Sequence, residues 1–283
     1  MEIITSAKAM QQRALQLKKQ GKSIGFAPTM GYLHEGHLKL VKQSLQHNDI
    51  TVMSIFVNPL QFGPNEDFEA YPRDVERDKM LAENAGVNIL YLPELSDMYP
   101  NELSFEINVT KRTDVLCGRS RPGHFNGVAT VLIKLFNIIL PTNVYFGMKD
   151  AQQVAVVDSL IKDFNFPIQL NPVDTEREED GLARSSRNVY LSDEERNQAP
   201  HLYKGLQIAS EAIKNGEVNP LNIIQMVEDY IKTNTNGKID YIEILSFPEL
   251  NPLNQINGKV IIALAVKFSK ARLIDNIILD IHS

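Results

Sequence analysis

The sequence predicts an α/β protein: a doubly wound parallel sheet followed by a smaller C-terminal α+β domain. Three observations carry that expectation. From residue 22 to residue 171, short strand-like apolar runs alternate with segments of helical periodicity, the order that right-handed crossovers build into a parallel sheet. The run at residues 50–57, ITVMSIFV, is β-branched and apolar on both faces, which suits a strand covered by helices on either side. Beyond about Asp174 the pattern changes to two helices and then three adjacent strand-like runs, the order of a small α+β unit with an antiparallel sheet. The boundary falls near residue 175, so the expected domains are 1–175 and 176–283.

Each element follows from local chemistry. Residues 22–27 form an apolar run that Pro28 and Gly31 are expected to break. Leu38, Val41 and Leu45 recur at helical spacing, so a helix begins near Glu35. Asn58-Pro59 ends the strand at 50–57, and a loop rich in Gly, Pro and Asn runs to about Pro72. A helix is expected at 73–85, with Gly86 after its end. Strands are expected at 88–92 and at 103–109, the second from its alternation. A helix at 126–140 stops at Pro141, and a strand at 143–146, a helix at 150–163 and a strand at 168–171 follow. Ser192-Asp193-Glu194-Glu195 is a capping box that should open a long helix. Asn219-Pro220 supplies the N-cap and first-turn proline of another. The last three strands are expected at 239–245, 259–266 and 272–279.

Composition narrows the function. A chain of 283 residues with 43% hydrophobic residues can bury a sizeable core and is not a disordered segment. Its 29 basic and 35 acidic residues give a net charge of −6, without the basic footprint of a general nucleic-acid binder, so no nucleic-acid partner is expected. Cys117 is the single cysteine, so no intrachain disulfide forms, which fits a reducing compartment. No apolar run reaches the ~18 residues of a membrane span, and the first residues lack the basic segment and apolar core of a secretory signal. A soluble, cytoplasmic protein with no membrane partner is expected.

Four segments carry chemistry. The first is Pro28-Thr29-Met30-Gly31-Tyr32-Leu33-His34-Glu35-Gly36-His37, where the first strand meets the first helix. Ligands of doubly wound sheets bind at such strand ends, and a helix N-terminus suits a phosphate. His34 and His37 share one helical face at i and i+3. Gly36 between them disfavours the helix by about 1 kcal/mol relative to Ala, but lets a ring or ribose approach. Two ordinary histidines at a helix start are the plain alternative, and a zinc site would need more ligands than this sequence pattern offers. In the second segment the strand delivers Asn58 and Gln61, whose amides suit a small hydroxy acid; a simple turn is the alternative. The third is Gly147-Met148-Lys149-Asp150, with Gln153 one turn further on. Lys149 suits developing phosphate charge, and Asp150 could equally cap the helix. The fourth, Arg184-Ser185-Ser186-Arg187, is a polar cationic loop at the domain boundary. It could close over phosphate, or be a solvated linker. The basic loop from Arg119 to Phe125 reads equally as a phosphate neighbour or as a turn before a helix.

In order, the strings PTMGYLHEGH, SIFVNPLQFG, RPGHFNGVAT, FGMKDAQQ and GLARSSRNVYLS resemble the pantoate–β-alanine ligase family, the pantothenate synthetases, from Pro28 through Leu191. His-x-Gly-His alone would point only to the wider nucleotidylyltransferase group. The resemblance implies a Rossmann-like domain with a smaller C-terminal lid domain. It implies an ATP-dependent, AMP-forming ligase that condenses (R)-pantoate with β-alanine through pantoyl adenylate, with Mg²⁺ accompanying ATP and a homodimer as the assembly. It also implies residue roles. His34 and His37 contact the phosphates, His37 as proton donor, and Lys149 stabilises the transferring phosphate. Met30, Gly31, Tyr32, Leu33, Glu35 and Gly36 line the ATP site, as do Gly147, Met148 and Asp150. Glu176 meets adenine through its backbone, and Arg184, Ser185, Ser186 and Arg187 close on the nucleotide. Gln61, Gln153 and Asn58 hold pantoate, with Gln61 also near β-alanine. The family has Leu or Met where this chain has Arg184, so the resemblance implies no role for that side chain. Two rivals are a nucleotidylyltransferase that stops at an adenylated product and a non-catalytic ATP sensor.

Overall fold

Strands that are apolar on both faces need helices above and below them, and the computed structural model, which describes residues 1–64, 66 and 68–281, has that arrangement. In chain order the elements are β1 (Glu2–Ile4), α1 (Ala7–Lys19), β2 (Ile24–Thr29), α2 (Glu35–His47), β3 (Ile50–Ile55), α3 (Val75–Asn84), β4 (Ile89–Tyr91), α4 (Leu95–Met98), α5 (Leu116–Ser120), α6 (His124–Ile139), β5 (Asn143–Gly147), α7 (Ala151–Asp163), β6 (Gln169–Val173), α8 (Asp193–Gln198), α9 (His201–Lys214), α10 (Pro220–Asn234), β7 (Lys238–Ser246), β8 (Gly258–Lys267) and β9 (Arg272–Ile281). Short 3-10 turns cover Pro59–Gln61, Met148–Asp150 and Ser186–Tyr190.

Two units form. The first comprises Met1–Thr110, Arg121–Met148 and Val156–Asp174; the second takes Lys111–Ser120, Lys149–Ala155 and the chain from Thr175 onward. The first unit holds a six-stranded sheet in the order β1-β4-β3-β2-β5-β6, and each pairing is parallel. The doubly wound parallel fold expected from the sequence is therefore present. The strand order reverses between β2 and β5, and the crevice beyond the carboxyl ends at such a switch point is where ligands bind. β2 leads into the Met30–His37 segment and β5 into Gly147-Met148. Leu40 and Val41 of α2 pack on Ala27, Met53 and Leu90 of the sheet.

The second unit holds the antiparallel sheet β7-β8-β9. Leu206, Ala209 and Ile213 of α9 and Ile223, Val227 and Ile231 of α10 bury against Val260, Ile262, Leu264 and Val266, the alternate residues of β8.

Several expectations are corrected. Strand β2 runs through Pro28 to Thr29 instead of breaking before it. Pro28 lies beyond the stretch of β2 that pairs with β5, so its missing N–H costs that ladder nothing. Residues 103–109 form no strand of either sheet, and Leu103 and Phe105 are 46% and 84% exposed; alternation makes a strand only where a neighbour pairs with it. The Ser192–Glu195 capping box is real, but the long helix it should open is split, because Pro200 cannot donate to the helical ladder and α9 starts anew after it. β1 and α1 have no counterpart among the expected elements, although Met10, Ala14 and Leu17 recur at helical spacing behind the Ser6 cap.

Candidate active site

In the first unit the turn after β2 is built around a buried carboxylate. Gly31 has φ +86° and Tyr32 φ +50°, conformations that bring two successive N–H groups to one side. Asp78, on the inward face of α3 and 1% exposed, accepts both: Tyr32 N–H donates to Oδ2 and Leu33 N–H to Oδ1, each at 2.7 Å. Burial raises the Asp78 pKa above its ordinary value, and the two amides and Arg77 oppose that without overcoming it. A β-carbon on Gly31 would lie 3.0 Å from Asp78 Oδ2 and 2.9 Å from Ile55 Cγ2, so the loop seats closely on α3 and β3.

The turn ends in His34, the N-cap of α2, and His37 is the third residue of that helix. Gly36 N–H donates to His34 Nδ1 at 3.2 Å, and His34 N–H donates to His37 Nδ1 at 3.3 Å. The two rings therefore form a capping box, with imidazole nitrogens where Ser and Glu usually serve. Because a backbone N–H can only donate, Nδ1 of each ring is the acceptor, and each neutral ring carries its proton on Nε2. The ring centroids are 4.0 Å apart. Two Nε2–H donors at a helix N-terminus suit the oxygens of a phosphate chain.

The second cluster of this unit lies after β3. Asn58 is 1% exposed and all four of its amide bonding positions are used. Its Oδ1 accepts from Leu60 N–H at 3.3 Å and from the Tyr99 hydroxyl at 2.9 Å. Its Nδ2 donates to Gln61 Oε1 at 3.2 Å and to Gly127 O at 3.1 Å. Gln61 Nε2 donates to Met30 Sδ at 3.1 Å, joining this cluster to the turn after β2. The start of α6 supports the same turn: the Gln61 carbonyl accepts from His124 Nδ1 at 2.8 Å and from Arg121 Nη2 at 3.3 Å. Arg121 is in turn held by Glu66 through contacts of 2.7 and 2.6 Å. Of the two readings left open for the basic loop, the structure favours a turn that braces a helix start. Burial pushes the Glu66 carboxyl up, but the hydrogen bonds and charge of Arg121 pull it further down, so its pKa lies below the ordinary value.

Gly147 and Met148 belong to the first unit, whereas Lys149, Asp150, Gln153, Glu176 and residues 184–187 belong to the second. Lys149 lies in the 3-10 turn before α7, its Nζ 3.6 Å from Asp150 Oδ2, and its carbonyl accepts from Asn276 Nδ2 at 2.9 Å. Gln153 is half-buried in the first turn of α7. Its neighbour Gln152 faces inward and donates to the carbonyls of Arg112 and Val115, both at 2.8 Å. Glu176 and Arg184 meet across a small hairpin, Arg184 N–H donating to Glu176 O at 2.9 Å. Ser185 caps the following turn by accepting from Arg187 N–H at 3.3 Å, and Ser186 is buried beneath it. Arg177 anchors this hairpin: it forms a bidentate pair with Asp275 at 2.7 and 2.9 Å, donates to Gly181 O at 3.1 Å, and lies over the Tyr203 ring.

Among the described residues no three His, Cys, Asp or Glu side chains converge as a metal cage, and no helix is long and apolar enough to cross a membrane. Asp78, Glu66 and the Asp275–Asn276 pair were not singled out from the sequence, and Arg121 and His124 stood out there only as members of the basic loop from Arg119 to Phe125. Asp78 had a signal there, because it stands in register with Ala82 on the inward stripe of α3, where a carboxylate needs a partner.

Comparison with known proteins matches this chain over nearly its whole length. The sequence model of the pantoate–β-alanine ligase family matches residues 2–278. The chain is 62% identical to the pantothenate synthetase of Bacillus subtilis (strain 168), covering 100% of this chain and 98% of that one. It is 60% identical to that of Geobacillus sp. (strain WCH70), covering 99% and 100%. The crystal structure of pantothenate synthetase from Thermus thermophilus superposes with a TM-score of 0.92 at 41% identity, over 98% of this chain and 99% of that one. A pantoate–β-alanine ligase from Francisella tularensis, solved with β-γ ATP and β-alanine, gives a TM-score of 0.80 at 33% identity over 98% and 97%. With nearly the whole length matched in sequence and in fold, this chain belongs to the pantoate–β-alanine ligase family.

Proposed function

We propose that this chain joins pantoate to β-alanine in an ATP-dependent, AMP-forming ligation, with His34, His37 and Lys149 acting on the phosphates and Gln61 on the acid. The observation that carries these roles is the imidazole pair at the start of α2, with each Nδ1 committed to a backbone N–H so that Nε2–H is the donor. The ligands of the Francisella relative, a β-γ ATP and β-alanine, support the same substrates for this chain.

In the first step a pantoate carboxylate oxygen attacks the α-phosphorus of ATP. The bond to the bridging oxygen breaks, pyrophosphate leaves, and pantoyl adenylate forms. In the second step the β-alanine amine attacks the acyl carbon, the acyl–oxygen bond breaks, AMP leaves and the amine loses a proton. A carboxylate is a poor acyl donor and its phosphoric anhydride a good one, so the protein's part is positioning and charge stabilisation. His37 donates to the departing pyrophosphate, His34 to the phosphate chain, and Lys149 balances the charge that develops during transfer. Met30, Gly31, Tyr32, Leu33, Glu35 and Gly36 line the nucleotide site. Gly147, Met148, Asp150 and the Glu176 backbone do the same, and Arg184, Ser185, Ser186 and Arg187 form a flap supplied by the lid domain, residues 176–283. Gln61 and Gln153 hold pantoate, and Asn58, whose four amide bonding positions are all taken, serves the acid site by orienting the Gln61 side chain through its Oε1. Mg²⁺ would screen phosphate charge, held by phosphate oxygens and water.

A cytoplasmic location is supported by the lone cysteine, and a homodimer is the assembly that the family resemblance implies. The deciding experiment incubates the protein with ATP, Mg²⁺ and pantoate, with and without β-alanine. Pyrophosphate and pantoyl adenylate are expected without the amine, and pantothenate and AMP with it. An adenylate that persists in β-alanine would indicate a nucleotidylyltransferase, and absence of pyrophosphate a sensor.

A further inference from the structure

We propose that His124 is a positioning residue for the acid site: it fixes the main chain of Gln61 through one enforced ring tautomer. The proposal rests on the assignment of Gln61 to pantoate.

His124 opens α6 and is 9% exposed. Its Nδ1 lies 2.8 Å from the Gln61 carbonyl, and a carbonyl oxygen can only accept, so Nδ1 carries the hydrogen. Its Nε2 lies 3.1 Å from Arg121 Nη1, and a guanidinium can only donate, so Nε2 must accept. One neutral tautomer, protonated at Nδ1, meets both demands. Arg121 holds that choice because Glu66 grips it through two charge-assisted contacts. This is the opposite tautomer to the one the backbone imposes on His34 and His37. The same Gln61 side chain reaches Asn58 and Met30, so a shift of its main chain moves the amide that grips the acid. The ring also packs edge-on to Phe125, so its volume and its hydrogen bond can be tested separately.

The test uses the full-length enzyme with His124→Phe, which keeps an aromatic ring and removes the donor. His124→Asn is its counterpart, because its amide nitrogen can occupy the place of Nδ1. Steady-state KM values are measured for pantoate and for ATP, alongside Gln61→Ala. His124→Phe should raise the pantoate KM about tenfold, as expected for one lost hydrogen bond, with the ATP KM near native. His124→Asn should restore the pantoate KM. A native pantoate KM in His124→Phe, an equal rise for both substrates, or no rescue by Asn overturns the proposal. If Gln61→Ala leaves the pantoate KM unchanged, the Gln61 assignment fails and this inference falls with it. If Gln61→Ala raises it and His124→Phe does not, only the role of His124 is lost. Should the Phe variant not fold, ring ¹⁵N shifts of the native enzyme decide: Nδ1–H supports the proposal and a neutral Nε2–H ring refutes it.

Discussion

Gly127→Ala tests how closely the acid-binding turn is seated on α6. A β-carbon at Gly127 would lie 2.0 Å from Leu60 O, 2.3 Å from Leu60 C and 2.5 Å from Gln61 N. These are backbone atoms, so no side-chain rotation relieves the clash. Ordinary contact begins at 3.4 Å, so the turn or the helix must retreat by about 1.4 Å. Overpacking of this kind costs about 1–3 kcal/mol, and an unyielding backbone partner puts the cost at the upper end. Alanine in the helix interior returns about 1 kcal/mol of helix propensity. The net loss should be about 1–2 kcal/mol, a drop of a few degrees in unfolding midpoint. The larger effect should be catalytic. A displacement near 1 Å in a positioning element can lower rate by about 100-fold, so kcat/KM for pantoate should fall by about 10- to 100-fold. Thermal unfolding and steady-state kinetics on one preparation measure both. A variant with the native midpoint and native kcat/KM for pantoate would refute the close seating and the placement of Gln61 in the acid site.

Further outcomes follow from the same geometry. Asp78→Asn keeps the volume but sets an amide N–H against one of the two loop N–H groups; it should destabilise by about 1–3 kcal/mol, partly offset by removal of a buried charge, and raise the ATP KM more than the pantoate KM. Equal effects on both substrates would contradict a role confined to the nucleotide loop. Glu66→Gln should lower stability near neutrality by about 1–2 kcal/mol. The native Glu66 pKa is depressed, so its contribution is complete above the ordinary carboxylate range and is lost as pH falls through the lowered value. Urea midpoints of the two proteins should therefore converge in acid, and a constant gap would argue against the ion pair. Ring ¹⁵N spectra of the ligand-free enzyme should show neutral His34 and His37 protonated at Nε2, and Nδ1–H in either ring would break the capping-box description. His37→Ala should abolish pantoate-dependent ATP–pyrophosphate exchange with the fold intact by circular dichroism, and retained exchange would remove His37 from the chemistry.

Local chemistry was enough to read much of this protein from its sequence. The alternation of strand and helix, the capping box at Ser192 and Glu195 and the Asn219-Pro220 helix start are decided by neighbours a few positions apart. So is the presence of two histidines at a helix start. Residues 103–109 show where that reasoning stops, since an alternating run needs a partner strand that its own pattern cannot supply. The supports of the site lay out of reach for the same reason. Asp78 meets the Tyr32 amide across 46 residues, His124 meets the Gln61 carbonyl across 63, and Asn58 meets Gly127 across 69. Folding alone brings such pairs into contact, and only then do a buried carboxylate, a fixed tautomer and a missing β-carbon acquire a purpose.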